Sequence, residues 1–252
     1  MKILNGGCRV YSPDDGQVTT IGNCTSRAVI CRSTGAKQVT QSVNDYATGR
    51  SSDVVNPTAE EVLYVATGVG VCWIDGSPYD LRAGAAVYVP PGCSCGVENT
   101  GTGVLRIVSA CCPEDPQRRV GKSADTAGKS AHATSVHEDD RDQIRAGQDR
   151  VFRFLIHTDL GCKQITQFIG WIPTSKAPFH LHTYEEAIYI LEGRGILHLE
   201  GHLNASEFGP GSSIYLPDGV VHCLENPGPA PIRLLGVFHP SGSPSAAYET
   251  ED

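Results

Sequence analysis

The segment PFHLHTYEEAIYILEGRG, residues 178–195, contains the residues on which both the fold and the chemistry of this chain depend. His180 and His182 stand one residue apart, Glu186 follows four residues later, and an apolar run then ends at Gly193. Side chains at positions i and i+2 of a β-strand point to the same side, so the two imidazoles are predicted to project together. The Glu186 side chain lies on the same side as the two imidazoles if the turn at residues 183–185 preserves the alternation of side-chain directions.

A third histidine, His222, lies five residues after Pro217, on the predicted next hairpin. Three imidazoles and one carboxylate that meet inside a small barrel would bind one borderline divalent metal at about 2.0–2.2 Å. We therefore predict one divalent transition metal per chain, which could be Fe, Mn, Ni, Cu, Co or Zn. The predicted ligands are His180, His182, Glu186 and His222, and an octahedral ion would keep two further positions open.

The chain also contains an internal repeat. Residues 60–76 (EEVLYVATGVGVCWIDG) align with 185–201 (EEAIYILEGRGILHLEG) at an offset of 125, and 84–101 align with 211–228 at an offset of 127. Each copy consists of short apolar runs separated by glycine and proline, which is typical of strands joined by turns. Because residues 188–191 are apolar on both faces, the strand is predicted to lie within a packed barrel or sandwich.

The composition also favours an all-β protein, since 28 glycines and 16 prolines occur among 252 residues and helix-favouring runs are few. The net charge of −8 and the absence of a basic stripe argue against a nucleic-acid partner. No apolar run approaches the roughly 20 residues that a membrane helix needs. The N-terminal segment lacks the pattern of a signal peptide, so we expect a cytoplasmic protein whose ten cysteines are mostly reduced and buried.

These residues resemble the two motifs of the cupin superfamily. The first motif, G-x5-H-x-H-x3,4-E-x6-G, is matched except at its leading glycine, where Pro173-Thr174 stands, by His180, His182, Glu186 and Gly193. The second motif, G-x5-P-x-G-x2-H-x3-N, is matched throughout by Gly211, Pro217, Gly219, His222 and Asn226. The resemblance is strong over residues 150–240 and weaker over 52–113. It implies a bicupin with two β-jelly-roll barrels, the metal in the second barrel and, by family analogy, a homodimer.

Three segments are predicted from the repeat. Residues 1–113 form a degenerate N-terminal barrel, residues 114–149 form a linker or an arm that could hold a short helix, and residues 150–252 form the metal-binding barrel.

The first copy of the repeat keeps the glutamate of the motif as Glu61 but has Val55, Pro57 and Cys95 in place of the three histidines. One carboxylate and one thiol do not make a four-ligand site, so we expect the N-terminal barrel to be metal-free. Its expected role is to pack against the other barrel, to shape its mouth or to build a dimer interface.

The substrate pocket is predicted from residues that share the parity of the ligands and from aromatic residues near them. They are Gln167, Phe168, Trp171, Phe179, Ile188, Ile190 and Leu224. Core packing is the alternative role for these side chains. No arginine or lysine adjoins the motif, which argues against small dicarboxylates such as oxalate.

The resemblance implies a metal-dependent enzyme that acts on a small organic molecule, with a dioxygenase as the leading reaction type. Glu186 would then be a ligand and a possible catalytic base. A non-redox isomerase, cyclase or decarboxylase would use the same site as a Lewis acid. A small-molecule sensing or binding module and a structural or storage protein are further alternatives, because one fold hosts many functions.

Overall fold

The computed structural model describes residues 1–121, 133–146, 149–201 and 205–245, and these residues are almost entirely β-structure. Helical conformation within them is limited to 3-10 turns at Asn5–Gly7, Arg32–Thr34, Glu138–Asp140 and Thr158–Leu160 and at residues 244–245. No helix in the described ranges is long and apolar enough to span a membrane. The predicted all-β class is confirmed.

The strands are short and follow one another closely along the described chain. In chain order they are β1 Lys2–Ile3, β2 Arg9–Tyr11, β3 Gln17–Ile21, β4 Cys24–Ile30, β5 Gln41–Tyr46, β6 Gly49–Arg50, β7 Val54–Val55, β8 Glu60–Thr67, β9 Val69–Ile74, β10 Ser77–Arg82, β11 Ala85–Val89, β12 Ser94–Asn99, β13 Leu105–Cys112, β14 Arg119–Val120, β15 Thr134–His137, β16 Ile144–Ala146, β17 Arg150–Ile156, β18 Thr166–Ile172, β19 Ser175–Lys176, β20 Glu185–Glu192, β21 Gly195–Leu199, β22 Ser206–Phe208, β23 Ser213–Leu216, β24 His222–Asn226 and β25 Ile232–His239.

Two sheets form each barrel. In the first barrel, a seven-stranded sheet in the order β15-β11-β8-β13-β5-β4-β3 packs against a sheet in the order β10-β9-β12-β7-β14, with β6 beside β12. In the second barrel, an eight-stranded sheet in the order β1-β2-β23-β20-β25-β18-β17-β16 packs against one in the order β19-β24-β21-β22. The β8-β13 pair of the first barrel thus corresponds to the β20-β25 pair of the second.

The internal repeat is also visible in the strand register. Glu61 of β8 lies opposite Val89 of β11, and Glu186 of β20 lies opposite Leu216 of β23. These four residues are the ones that the sequence alignment matches in pairs. The two halves therefore share their strand pairing as well as their sequence pattern.

Each half of the chain gives its N-terminal strand to the other barrel. Strand β2 pairs with β23 of the second barrel, whereas β15 pairs with β11 of the first. Residues 9–11, which the sequence assigns to the first barrel, thus complete the second, and residues 134–137 of the predicted linker complete the first. The exchange covers strands that would otherwise be exposed sheet edges, with their backbone N–H and C=O groups unpaired.

The described part of the predicted linker contains strands and one 3-10 turn, and the short helix that the sequence allowed there is not formed in it. Strand β15, the turn Glu138–Asp140 and strand β16 follow one another, and β16 pairs with β17 of the second barrel. Residues 122–132 and 147–148 of the linker lie outside the described ranges. Because β14 also lies in this segment and pairs with β7, the segment connects the barrels while adding two strands to the first and one to the second.

Three apolar clusters make up the core. One fills the first barrel, one fills the second, and one lies between the barrels with residues from both. In β20, Ile188 and Ile190 belong to the cluster inside the second barrel, whereas Ala187 and Tyr189 belong to the cluster between the barrels. Each buried isoleucine contributes about 1.5–3 kcal/mol. The strand is apolar on both faces because both faces are buried.

A buried glutamate of the second barrel holds a loop of the first. The Glu185 carboxylate accepts hydrogen bonds from the backbone N–H groups of Lys37 at 3.0 Å, Gln38 at 2.6 Å and Val39. It also accepts one from the Tyr215 hydroxyl at 2.8 Å. A carboxylate with several charge-assisted hydrogen bonds of this kind fixes the loop at the interface between the barrels.

The equivalent glutamate of the first barrel makes the reciprocal contact. Glu60 accepts hydrogen bonds from the backbone N–H groups of Lys163 at 3.0 Å and Gln164 at 2.7 Å, and from the Tyr88 hydroxyl at 3.1 Å. The repeated Glu-Glu pair therefore has two functions. Because alternate side chains of a strand point to opposite faces, the first glutamate joins the barrels and the second points into its own barrel.

Candidate metal centre

The three predicted histidine ligands lie together in the second barrel. His180 forms an isolated β-bridge with His222, and the two residues exchange backbone hydrogen bonds of 3.0 and 2.8 Å. The His182 carbonyl accepts a hydrogen bond from Gly219 at 2.8 Å, which ties the H-x-H segment to the turn before β24. One ligating atom from each imidazole lies within 4.8 Å of the other two. A single ion could therefore contact all three rings.

Backbone carbonyls orient two of the rings. His180 Nδ1 lies 3.1 Å from the Pro178 carbonyl, and His222 Nδ1 lies 2.8 Å from the Val220 carbonyl. A carbonyl only accepts hydrogen bonds, so both Nδ1 atoms carry the proton and donate it. Each Nε2 then keeps its lone pair, which is the form that ligates a metal.

Aromatic stacking positions the third ring. The His182 ring stacks on Tyr184 with centroids 4.5 Å apart, and Tyr184 stacks on Phe238 at 4.2 Å. His182 Nδ1 lies 3.3 Å from Glu186 Oε2 but makes no hydrogen bond to any described residue. A buried nitrogen without a partner is costly. A metal ion held by the three imidazoles and Glu186 would provide that partner.

Burial determines which protonation states this site adopts. Desolvation, helped by the neighbouring imidazoles, lowers the pKa of His182 to about 2, and it lowers the pKa of His222 to about 4. Burial also raises the pKa of the Glu186 carboxyl to about 8. Neutral imidazoles are ready to bind a metal, and a nearby divalent cation would favour the carboxylate form of Glu186. The chemistry of this donor set fits one divalent transition metal.

The ligands line a cavity of about 80 Å³ inside the second barrel. Four of the seven predicted pocket residues, Phe168, Trp171, Ile188 and Leu224, also line it. Its walls are mainly apolar, so few charged side chains are available to contact a bound molecule.

The other three predicted pocket residues lie elsewhere. Gln167 is fully buried and alternates with Phe168, so it points away from the barrel interior, and its amide has no hydrogen-bond partner among the described residues. Phe179 is 39% exposed, with Lys176 Nζ 5.9 Å from its ring centre. Ile190 shares the parity of Ile188 but lies deeper, in the apolar core of the barrel.

Arg150 also lines the cavity, and sequence reasoning missed it. Its buried guanidinium donates hydrogen bonds to Ser175 Oγ at 2.8 Å and the Leu224 carbonyl at 2.9 Å, and Asp149 lies 3.3 Å away. The cavity therefore contains a cationic side chain, although no arginine or lysine adjoins the motif. Because Arg150 stands thirty residues before His180, at the start of β17, the motif spacing contains no signal for it.

The remaining histidines and the cysteine beside His222 do not join the centre. His198 pairs with Glu225 at 2.6 Å, and the other described histidines are likewise outside the cluster of three. His132 and His202 lie outside the described residues. Cys223 is buried and donates to the Ala177 carbonyl at 3.0 Å, as expected for a core residue, and all ten cysteines are free thiols.

In the first barrel, the equivalent of Glu186 makes a different set of contacts. Glu61 accepts hydrogen bonds from Asn56 at 2.7 Å and from Arg118 at 3.1 Å. Cys95, at the position of His222, lies with its sulfur 3.4 Å from that of Cys72. An ion pair and a thiol pair therefore stand where the second barrel has its candidate ligands.

Two barrels with equivalent strand pairing and a three-histidine cluster in the second define a two-domain β-barrel protein with one candidate metal centre. The Cupin domain family matches residues 45–111 and 169–238, which together exceed half of the chain. The chain belongs to this family, and the bicupin organisation predicted from the motifs is confirmed.

Two similar curated proteins have no assigned function. An uncharacterised protein of Methanocaldococcus jannaschii is 37% identical over 95 residues, which are 36% of this chain and 73% of that protein. An uncharacterised protein of Aquifex aeolicus is 32% identical over 77 residues, which are 31% of this chain and 61% of that protein. The chain thus spans less than two thirds of the second relative.

Solved structures share the complete two-barrel arrangement. The Ylba protein of E. coli has a TM-score of 0.74 at 16% identity, covering 94% of this chain and 93% of that one. Oxalate decarboxylase of Bacillus subtilis has a TM-score of 0.76 at 15% identity, covering 93% and 78%. Another structure of that decarboxylase, with a TM-score of 0.73 at 14% identity, concerns its Mn(II) centres. At these identities the likeness establishes the fold.

Proposed function

We propose that this protein is an enzyme that holds one divalent transition metal through His180, His182, Glu186 and His222 and acts on a small organic acid. The observation that carries the proposal is the convergence of three imidazoles, whose ligating atoms lie within 4.8 Å of one another, on a cavity that also contains Glu186 and Arg150. The bound ion would supply Lewis acidity and, if redox-active, one-electron chemistry toward dioxygen.

Arg150 and the size of the cavity support a small carboxylate as the substrate class. A guanidinium offers planar, paired donors that match a carboxylate, and burial strengthens this interaction. The cavity of about 80 Å³ is far smaller than the roughly 300–1,000 Å³ of pockets for drug-sized ligands. The apolar side chains of Phe168 and Leu224 would exclude water from the bound acid.

Glu186 is the residue best placed to move a proton. Its carboxyl lines the cavity, and burial raises its pKa to about 8, close to neutrality. Once a divalent cation is bound nearby, the carboxylate form of Glu186 is favoured, and this is the form that accepts a proton. In this proposal, the Glu186 carboxylate takes a proton from a hydroxyl or carbon of the bound acid.

A dioxygenase is the reaction type we place first, since an open metal position beside an apolar cavity suits a reaction with dioxygen. A non-redox reaction, such as decarboxylation or isomerisation, is the second candidate. The position of the Glu186 carboxyl in the cavity favours it, because proton transfer is the central step of such reactions. Oxygen consumption separates the two, since only the first consumes dioxygen in proportion to product.

The test combines metal analysis with turnover. Protein purified without added metal or chelator should contain about one equivalent of a transition metal, and it should convert members of a panel of two- to six-carbon hydroxy and oxo acids, assayed in air and without oxygen. His180→Ala should lose both the metal and turnover. His198→Ala is the matched control, because His198 pairs with Glu225 outside the cluster.

Wild-type turnover by His180→Ala would overturn the proposal. Binding of an acid without product from any member of the panel would favour a sensing or binding module. Two equivalents of metal would contradict a single centre per chain.

A further inference from the structure

The first barrel contains a cavity, open to solvent on one side, that the proposed function does not use. Its volume is about 360 Å³, against about 80 Å³ at the candidate metal centre. Glu61 and Arg118 provide charge, and apolar side chains including Val54, Leu63 and Val97 form part of the wall. The volume falls within the range of about 300–1,000 Å³ typical of pockets for small organic ligands.

Arg118 uses only one of its nitrogens to bind the protein. Its Nη1 contacts Asn56 Oδ1 at 3.0 Å, Glu61 Oε2 at 3.1 Å and Cys111 Sγ at 3.7 Å. These bonds fix the plane of the guanidinium. The Nε and Nη2 edge makes no hydrogen bond to the described residues, and the side chain as a whole is 44% exposed. This edge presents two parallel N–H donors, the arrangement that a carboxylate accepts through both oxygens.

The charge beside Arg118 restricts the ligand further. The Glu61 carboxylate is 3.1 Å from Arg118, so the pair is close to neutral as a unit. A second anion must approach Arg118 while lying near Glu61, and repulsion grows with its charge. A monoanion is therefore accepted more readily than a dianion such as phosphate, and the walls at Val54, Leu63 and Val97 favour an apolar body.

We propose that this cavity is a second ligand site, which binds a small monocarboxylate with an apolar body and uses Arg118 as its anion-binding residue. The site is separate from the metal centre and does not depend on the chemistry assigned to that centre. The ion pair of Arg118 with Glu61 holds the guanidinium in place before the ligand arrives, so little side-chain freedom is lost on binding.

The experiment titrates the full-length protein with hexanoate and with hexanamide, its neutral isostere, by isothermal calorimetry and ligand-observed NMR. All proteins carry Arg150→Gln, which removes the guanidinium of the second barrel, and any metal ion bound in that barrel is common to the parent and the variants. We expect one equivalent of hexanoate to bind, and hexanamide to bind at least tenfold more weakly. Arg118→Gln combined with Glu61→Gln, which removes both charges together, should weaken hexanoate at least tenfold.

A second variant tests the cavity without changing its charges. Ser26 lies on the cavity wall, and Ser26→Phe would fill part of the space that the apolar body needs. It should weaken hexanoate at least tenfold while the circular dichroism spectrum and melting temperature stay close to those of the parent. No hexanoate binding to the parent, equal binding of hexanamide, or unchanged binding in both variants would each overturn the proposal. None of these measurements uses metal content or turnover as its readout, so this proposal and the proposed function can fail independently of each other.

Discussion

Replacing Glu186 by glutamine should make the metal-free protein more stable, and increasingly so as the pH rises. Burial raises the pKa of this carboxyl from 4.5 to about 8 in the folded chain. Between these values the folded state binds more protons than the unfolded state, so stability is complete below pH 4.5 and falls as the pH rises through 8. Glutamine stays neutral and does not incur the cost of a buried charge.

The size of the effect follows from the distance between the folded and unfolded pKa values of this carboxyl. Each pH unit within that interval changes the free energy of unfolding by about 1.4 kcal/mol, so the wild-type carboxyl costs about 2 kcal/mol at pH 6 and about 5 kcal/mol at pH 9. The difference between Glu186→Gln and wild type should therefore grow by about 3 kcal/mol between these pH values. In the folded state His182 and His222 titrate below this window, and the titration of the same histidines in the unfolded state is common to both proteins.

The assay is urea unfolding with a chelator present at pH 6 and pH 9, followed by tryptophan fluorescence. Trp73 and Trp171 report on the first and the second barrel, respectively. Glu61→Gln is the matched control, because Glu61 accepts hydrogen bonds from Asn56 and Arg118 and its removal leaves Arg118 without a carboxylate. That variant should be less stable than wild type. A Glu186→Gln difference that stays constant from pH 6 to pH 9, or a variant less stable than wild type at pH 9, would refute the reasoning.

Other consequences follow from the same contacts. Glu185→Ala should lower the free energy of unfolding by about 3–5 kcal/mol in a urea titration, because three backbone N–H groups and a tyrosine hydroxyl lose their acceptor, whereas Glu192→Ala at the exposed end of the same strand should change it by less than about 0.5 kcal/mol. Arg150→Gln should raise the KM of an acid substrate at least tenfold with a smaller change in kcat, measured by steady-state kinetics, and an unchanged KM would contradict carboxylate binding there. Tyr184→Leu should weaken Zn²⁺ binding by about tenfold in a competition titration, since the His182 ring loses its stacking partner. The free energy of unfolding of the metal-free variant shows how much of this loss comes from a less stable fold. The affinity for Zn²⁺ should rise with pH up to about 8, because Glu186 must release its proton, and a flat profile from pH 6 to pH 8 in calorimetry would argue against a carboxylate ligand.

The cluster of three histidines could be predicted because the spacing of residues along an extended chain indicates the direction of their side chains. His180 and His182 differ by two positions and therefore point to one side, and His222 was found through its spacing from Pro217. The alignment of Glu61 with Glu186 likewise predicted the shared strand pairing that β8 and β20 show. These features depend on residue spacing within short segments, which can be seen directly in the sequence.

Contacts between distant segments could not be read in the same way. Arg150 reaches the cavity only because β17, β18 and β25 are neighbours in one sheet. Gln167 and Phe168 are adjacent in the sequence, yet only Phe168 lines the cavity, because their side chains leave the strand on opposite faces. The predicted pocket residues therefore include both side chains that line the cavity and side chains that lie outside it.

The sequence by itself determined the all-β class, the twofold repeat and the three histidines that meet in the second barrel, since each follows from spacing along the strand. Only the tertiary structure decided that β2 and β15 exchange barrels and that Glu60 and Glu185 hold the loops of the opposite barrel. The physical reason is that an edge strand or a buried carboxylate pairs with whichever backbone groups the closed barrels place beside it, and no local pattern specifies a partner that is distant along the chain.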